Sequence, residues 1–327
     1  MIDFGNDIFK MTTLTDAISK LPYVPQQIAK MGLFAVQGVP TTSILVEELR
    51  GVLSILQTKR RGEAGNVAKN GKRKTRSFAI PHIPFDDEIL AEALQDVREF
   101  GSDNQLVAQA KVIADKLAEM KTSHEATLEY HRAGALNGVI LDADGSTIYN
   151  LFTEFDITQQ TLNFALGTKT TDVNAKCLAI IRLVEKALGG MGYAGIHCFC
   201  GSTFFDALTG HESVKSAYYR YRDSEMLRTD NRKGFSFGNI TFEEYRGTVD
   251  SKVFVGANTA RFFPTGVGIY KTYFAPADFM EAVNTIGQQY YAKAEPKKFN
   301  RGVDIHTQSN PLNICTMPGV LVAGTNT

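Results

Sequence analysis

The chain has 327 residues, room for one large domain or two to three smaller ones, and its 35 Lys and Arg are matched by 35 Asp and Glu for a formal net charge of zero. From that balance no general affinity for nucleic acid follows. No apolar run reaches the roughly 18 residues of a membrane helix, and the N-terminus lacks the basic start and apolar stretch of a signal peptide. A soluble, non-exported protein without membrane contact is expected. Its four cysteines, Cys177, Cys198, Cys200 and Cys315, show no CxxC spacing and read as reduced, buried thiols.

In chain order, residues 1–40 read as an arm rather than a domain. Leu21-Pro22-Tyr23-Val24-Pro25 cannot be helical across its prolines, and Val39-Pro40 marks a second break. Short helices are predicted around 16–20 and 25–31. Two runs rich in β-branched residues, 42–48 and 51–57, and a third at 77–82 predict strands. Between Lys59 and Arg76 the chain carries eight basic residues and one acid, with Gly62, Gly65 and Gly71 as joints. The whole predicts a long hairpin with a basic tip. That tip reads first as a solvated or partner-facing loop. Nucleic-acid binding is the second reading, weakened by the lack of aromatic interleaving for base stacking. Asp86, Asp87, Glu88 and Glu92 follow directly as opposite charges.

A helix over 87–100 is predicted to lead into a far longer one at about 102–136. Ser102 and Gln105 form a possible capping box. Leu106, Ala110, Ile113, Leu117, Met120, His124, Thr127 and His131 then recur every three or four residues. They make one thin stripe surrounded by charge. This spine is expected to pack on one side only, its stripe against 138–155 and the tail, its charged remainder turned away from them. Next come strands at 138–140 and 147–152 joined by Asp142-Ala143-Asp144-Gly145. A helix over 172–188 closed by Gly189-Gly190 follows, then a strand at 196–199 and a helix pair over 202–221. Strands are predicted at 235–245, 252–255 and 267–273. The block 172–280 has the pattern of a compact α/β or α+β unit. The tail from 290, with prolines at 296, 311 and 318, reads as extended.

Chemistry-bearing patterns are few. An apolar strand followed by Asp142-Ala143-Asp144-Gly145-Ser146 resembles the first motif of haloacid-dehalogenase-type phosphotransferases, in which the first Asp is the nucleophile and Mg²⁺ sits between the pair. A second strand begins within a few residues, so the same letters read more simply as a hairpin turn. Cys198 and Cys200 fall on one face of a strand without visible partners for a metal. His124 and His131 share a helix face and read as packed spine contacts. No phosphate loop, HExxH or GxSxG appears. No active site and no cofactor is expected.

Several stretches together resemble the major capsid protein E family of tailed bacteriophages, the lambda-type coat proteins. They are YVPQQIAKMGLF at 23–34, GVPTT at 38–42, RSFAIPHIPFDD at 76–87, VREFG at 97–101, RAGALNGVILDADGSTIYNLFTEF at 132–155 and IHTQSNPLNICTMPGVLVAG at 305–324. The stretch 132–155 looks like the family's central signature. The chain departs from the pattern at 57–62, where relatives are less basic, which leaves the pairing of this loop open. The resemblance implies an α+β fold of the Hong Kong 97 type. In this sequence it would comprise an N-terminal arm (1–40), an extended E-loop hairpin (41–85), a peripheral domain on the spine helix (86–170), an axial domain (171–285) and return strands to the peripheral domain (286–327). It further implies a structural head protein of the virion, assembled in the bacterial host cytoplasm into hexamers and pentamers of an icosahedral shell around double-stranded DNA. Its partners would be copies of itself, scaffold and portal proteins and, in some shells, a decoration protein, with the packaged DNA met only by weak interior contact. Inter-subunit contacts are expected from Lys59, Arg60, Arg61, Lys72, Arg73, Lys74 and Arg76 to Asp86, Asp87, Glu88 and Glu92 of an adjacent copy, with the charged remainder of the spine toward neighbouring subunits or the shell interior.

Overall fold

The computed structural model describes residues 11–20, 27–49, 73–94, 105–220, 234–249 and 252–326. Helices α1 (Met11–Lys20) and α2 (Gln27–Lys30) precede β1 (Ala35–Gly38). β2 (Ser43–Leu49) pairs antiparallel with β3 (Arg73–Ala79), from Ser43 opposite Ala79 to Leu49 opposite Arg73. β4 (Ile83–Leu90) and α3 (Ala91–Leu94) come before the spine, α4 (Gln105–Asn137). Its 33 residues make a rod of about 50 Å. β5 (Val139–Leu141) and β6 (Thr147–Asn150) form a hairpin ending in α5 (Leu151–Glu154), and β7 (Gln160–Asn163) follows.

The next block holds α6 (Val173–Leu188), β8 (Gly195–Cys200), α7 (Ser202–Gly210) and α8 (Glu212–Arg220). After these come β9 (Phe235–Phe237), β10 (Ile240–Glu244), β11 (Thr248–Val249), β12 (Lys252–Val253), β13 (Thr259–Thr265) and β14 (Tyr270–Phe274). The tail contributes β15 (Tyr291–Pro296), β16 (Gly302–Ser309), β17 (Pro311–Cys315) and β18 (Val322–Thr325).

Two packed units result. In the larger, a six-stranded sheet of order β7-β18-β13-β8-β10-β9 carries α6 and α7. The helix α6 forms because Val173, Cys177, Ile180, Val184 and Leu188 recur at helical spacing, and all five are buried. Asp172 starts it by accepting from the Ala175 N–H at 3.0 Å. Gly189 stops it at φ 62°, a left-handed position that glycine adopts without a Cβ penalty. Phe164, Phe204, Phe242 and Phe262 fill the space beneath with rings stacked or edge to face. In the smaller unit, β15-β16-β4 form a sheet under the first half of α4. Ile113, Leu117 and Met120 pack there on Ile89, Val303 and Ile305, with Leu14 and Ile18 of α1 in the same cluster. A third sheet, β1-β14-β17, lies between them in the chain's connectivity.

Several expectations are corrected. Residues 87–90 are strand, not helix: Ile83, Phe85, Asp87 and Ile89 share one face, and β4 pairs with β16 from Ile83 opposite Ser309 to Leu90 opposite Gly302. A partner strand outweighed the helical propensity of the acidic run. The spine's apolar stripe faces the tail strands β15 and β16 as expected, but with β4 in place of 138–155, which folds against the last turns of α4. The second half of the spine is buried nearly all round, Lys121, Glu125, Glu129 and Arg132 included. The charged remainder there is thus largely buried within the single subunit. β7 and β13 were not anticipated. β13 contains Pro264, a residue that argues against a central strand. It is tolerated because pairing with β18 ends at Phe262, leaving no bond there for a proline N–H to make. The tail also divides: β15 and β16 join β4, β17 joins β14, and β18 enters the six-stranded sheet. The capping box at Ser102 and the strand expected at 51–57 lie outside the described residues.

Gly138 ends the spine at φ 81°, and a Cβ added to it would lie 2.2 Å from the Phe152 ring. Both the left-handed backbone and the overlap oppose a side chain. Gly138→Ala is expected to cost about 2–4 kcal/mol, read as a lowered urea midpoint of the unassembled subunit. A midpoint unchanged from the parent would contradict this account.

Candidate assembly surface

The base of the β2–β3 hairpin is fastened to its own chain. Phe78 is fully buried, with Tyr149 and Phe155 ring centroids at 5.3 and 6.0 Å, and the Tyr149 hydroxyl donates to the Ala79 carbonyl at 2.9 Å. Arg76 lies over the Phe155 ring at 4.8 Å, pairs with Asp156 at 3.2 Å and donates to the Glu154 carbonyl. Its guanidinium is therefore committed at the hairpin root. Arg73 and Lys74 stand farther along β3, opposite Leu49 and Glu48. Lys59, Arg60, Arg61 and Lys72 lie outside the described residues.

The acidic residues sit on β4, the outer strand of its sheet. The two-residue period of a strand divides them. Asp87 faces the spine and pairs with Lys116 at 2.7 Å, and that hydrogen bond holds its carboxyl below the usual range. Asp86 and Glu88 face outward, Asp86 bonded to His306 and Glu88 to Lys297, which also meets Asp304 at 3.1 Å. The Asp86 side chain remains 78% exposed. Glu92 is exposed on α3, with no ion pair among the described residues. The edge is thus a mixed-charge face, already partly neutralised from within, and exposed pairs of this kind contribute only about 0–1 kcal/mol each.

The polar half of the spine ties distant segments together. Glu129 accepts from the backbone N–H groups of Ile28 and Ala29, at 2.7 and 3.2 Å, and from the Tyr245 hydroxyl at 3.2 Å. Lys121 donates to the Ile18 carbonyl at 3.1 Å, with Glu125 at 3.9 Å. His124 bonds Thr307 Oγ1 at 3.0 Å and lies near the Phe85 and Tyr290 rings. His131 packs beside Tyr130. Both histidines are spine contacts, as their spacing suggested. The buried charges at 121, 125, 129 and 132 were missed, although their spacing of four, four and three is itself a helical face.

The phosphotransferase pattern is a turn. Asp142 and Gly145 close it with a 2.9 Å backbone bond, the Asp142 carboxylate accepts from the Ala143 N–H, and the Asp144 carboxylate accepts from the Ser146 N–H. Both acids are exposed, beyond any cleft that could exclude water around a nucleophile. Cys198 and Cys200 lie 3.5 Å apart, sulfur to sulfur, and buried. Burial raises the Cys198 thiol well above its ordinary pKa, which keeps it protonated and unreactive. Among the described residues no group of three or more His, Cys, Asp or Glu could hold a metal.

The described residues thus hold a hairpin fastened at its root to 149–156 and an outer strand, β4, with exposed acids. Solved structures share the fold. A chain described as a prophage capsid protein from E. coli CFT073 aligns with a TM-score of 0.56 at 14% identity, over 97% of this chain and 99% of that one. The asymmetric unit of the mature capsid of bacteriophage PhiM1 aligns at 0.54 and 10% identity, over 90% and 85%. This is the Hong Kong 97-type capsid fold. Residues 10–326 match the phage major capsid protein E family, and the chain belongs to it. The major capsid protein of Pseudomonas phage KPP10 is 28% identical over 97% of this chain and 96% of its own. That of Salmonella phage Felix O1 is 25% identical over 96% and 95%. The protein is a structural subunit of a tailed-phage capsid shell, located in the virion, and not an enzyme.

Burial lowers both spine histidines to about 4, from an ordinary 6.5, with the charge of nearby His306 adding to the effect at His124 and Asp142 opposing it at His131. The unfolded chain therefore takes up protons that the folded chain refuses. Their contribution to stability is complete above pH 6.5 and lost as pH falls toward 4. At about 1.4 kcal/mol for each unit, the loss is roughly 3 kcal/mol per ring. Glu129, raised mainly by burial, acts in the opposite sense: its contribution declines as pH rises above the ordinary carboxylate range. The Tm of the unassembled subunit should fall between pH 6.5 and 4, and a flat profile there would refute the assignment.

Proposed function

We propose that the chain assembles by association alone into hexamers and pentamers of an icosahedral shell enclosing double-stranded DNA. The observation that carries this reading is that one chain holds both a hairpin anchored at its root by Arg76 and Phe78 and an outer strand, β4, with outward acids that are only partly neutralised. The basic segment beyond the root is taken to lie over the β4 sheet of the next subunit. Lys59, Arg60, Arg61, Lys72, Arg73 and Lys74 would meet Asp86, Glu88 and Glu92 there, while Arg76 and Asp87 hold their own chain together. Weak contacts repeated over a shell allow misplaced subunits to leave before closure.

In the same reading 1–40 is the arm, 41–85 the E-loop, 86–170 the peripheral domain and 171–285 the axial domain. The tail from 286 returns to the peripheral domain, except that β18, together with β7 of 86–170, belongs to the six-stranded sheet. The grouping of β4, β15 and β16 under α4, apart from the six-stranded sheet, supports that division. Scaffold and portal proteins, and a decoration protein where the shell carries one, would complete the assembly. Zero net charge suits a wall that meets packaged DNA weakly.

Negative-stain microscopy of the protein expressed alone is expected to reveal shells, tubes or sheets. The triple variant Lys72→Glu, Arg73→Glu, Lys74→Glu should lose them while keeping the circular dichroism of the parent. Intact shells in normal yield from that variant would sink the electrostatic contact.

A further inference from the structure

Arg132 is only 7% exposed, on the buried half of the spine. Its Nε has no hydrogen-bond partner, and its guanidinium makes no hydrogen bond or ion pair among the described residues. The acid one turn back, Glu129, is occupied by Ile28, Ala29 and Tyr245 and reaches Arg132 only through its field. The Phe34 ring, 5.7 Å away, offers a π face but no acceptor. A guanidinium is a fixed fork of five donors that stays charged. Burying one without a hydrogen-bonded anion is unfavourable.

This side chain lines a cavity of about 320 Å³ together with Lys121, Phe34, Val36, Gln289 and Tyr290. Lys121 is 4% exposed and already engaged by the Ile18 carbonyl and Glu125, so it adds positive field while Arg132 keeps its donors free. At about 30 Å³ per water, the space admits a side chain carrying a carboxylate. A second feature adjoins it. Among the described residues β1 pairs as a strand only with β14, its other edge meeting the Gly287 backbone just past Gly38, and Val36 on that strand is 58% exposed. An open strand edge with an exposed valine beside a charged cavity is a surface shaped for a protein segment rather than a free ion.

We propose that this cavity receives an acidic side chain from a neighbouring copy of the chain, whose carboxylate completes the Arg132 fork in the shell. The inference rests on the assembly reading above. A bidentate Arg–carboxylate pair, desolvated at the centre of an interface, has the character of a binding hot spot. The unassembled subunit then carries a guanidinium without a hydrogen-bonded anion, which assembly supplies, so that folding and association make opposite demands on one residue.

The test compares wild type, Arg132→Met and Arg132→Lys. Light scattering and microscopy measure the concentration at which shells form, and Tm measures the unassembled subunit. Removing an unpaired buried charge with an apolar side chain of similar reach should leave Tm unchanged or raise it. The assembly concentration of Arg132→Met should rise about tenfold or more, with Arg132→Lys between the two. Assembly of Arg132→Met at the wild-type concentration would overturn the proposal, as would a Tm several degrees lower, which would make Arg132 a residue of the fold alone. Glutarate at constant ionic strength provides the remaining arm. If it raises the Tm of wild type but not of Arg132→Met while both assemble equally, the cavity holds a small anion and the neighbour is excluded. Failure of wild type to form shells at all would overturn the assembly reading, and this inference with it, before any substitution is compared.

Discussion

The carboxylate of Glu129 is the point through which the N-terminal segment, the spine and the strand β10 region are joined. It reaches the first-turn N–H groups of α2 from the last third of α4 and takes the Tyr245 hydroxyl as well. Those N–H groups have no partner within a helix of four residues. Without the carboxylate the short helix would leave them bare against a buried surface. Burial works against the charge while the three donors work for it, so the residue is held by geometry more than by favourable solvation. A rod of about 50 Å can organise a subunit in this way because it passes beneath several otherwise separate sheets.

The spine divides its labour along its length. Its first half is amphipathic in the ordinary sense, with Ile113, Leu117 and Met120 on the β4-β16-β15 sheet and solvent opposite. Its second half is buried on most sides and uses polar contacts where a globular core would use leucine. Polar interiors are sensitive to the completeness of their hydrogen bonds. Glu129 and His124 are satisfied within the chain, whereas the Arg132 fork is not. That asymmetry separates what holds one subunit together from what a neighbour would supply.

Hairpin and edge follow a similar division. Arg76, Asp87 and Phe78 serve the subunit, and the outward-facing acids of β4 are only loosely balanced by His306 and Lys297. An outer strand bearing charge on its exposed face resists indiscriminate edge pairing while remaining open to a chosen partner. This is the arrangement a subunit needs if it is to stay folded and separate before joining a shell.

Residue order alone determined the elements whose signals are local. The spine, the helix capped by Asp172 and Gly189 and the Asp142–Gly145 turn announce themselves through period, caps and turn chemistry, whereas the return strand of the hairpin runs over 73–79 and not the 77–82 expected, because Val46 to Leu49 lie beside its basic residues. The capsid family was legible from stretches scattered across the chain. Three matters were decided only by tertiary structure. The acidic run 86–88 became strand because β16 lay beside it. Pro264 sits in a central strand because its neighbour's pairing stops two residues earlier. The spine's far half is buried although its residues are charged, since hydrophobic periodicity cannot register a face whose partners are backbone amides, hydroxyls and carbonyls. Periodicity reports which side chains avoid water. It does not report which polar groups have found one another, and in this protein the joints between segments are made of such groups.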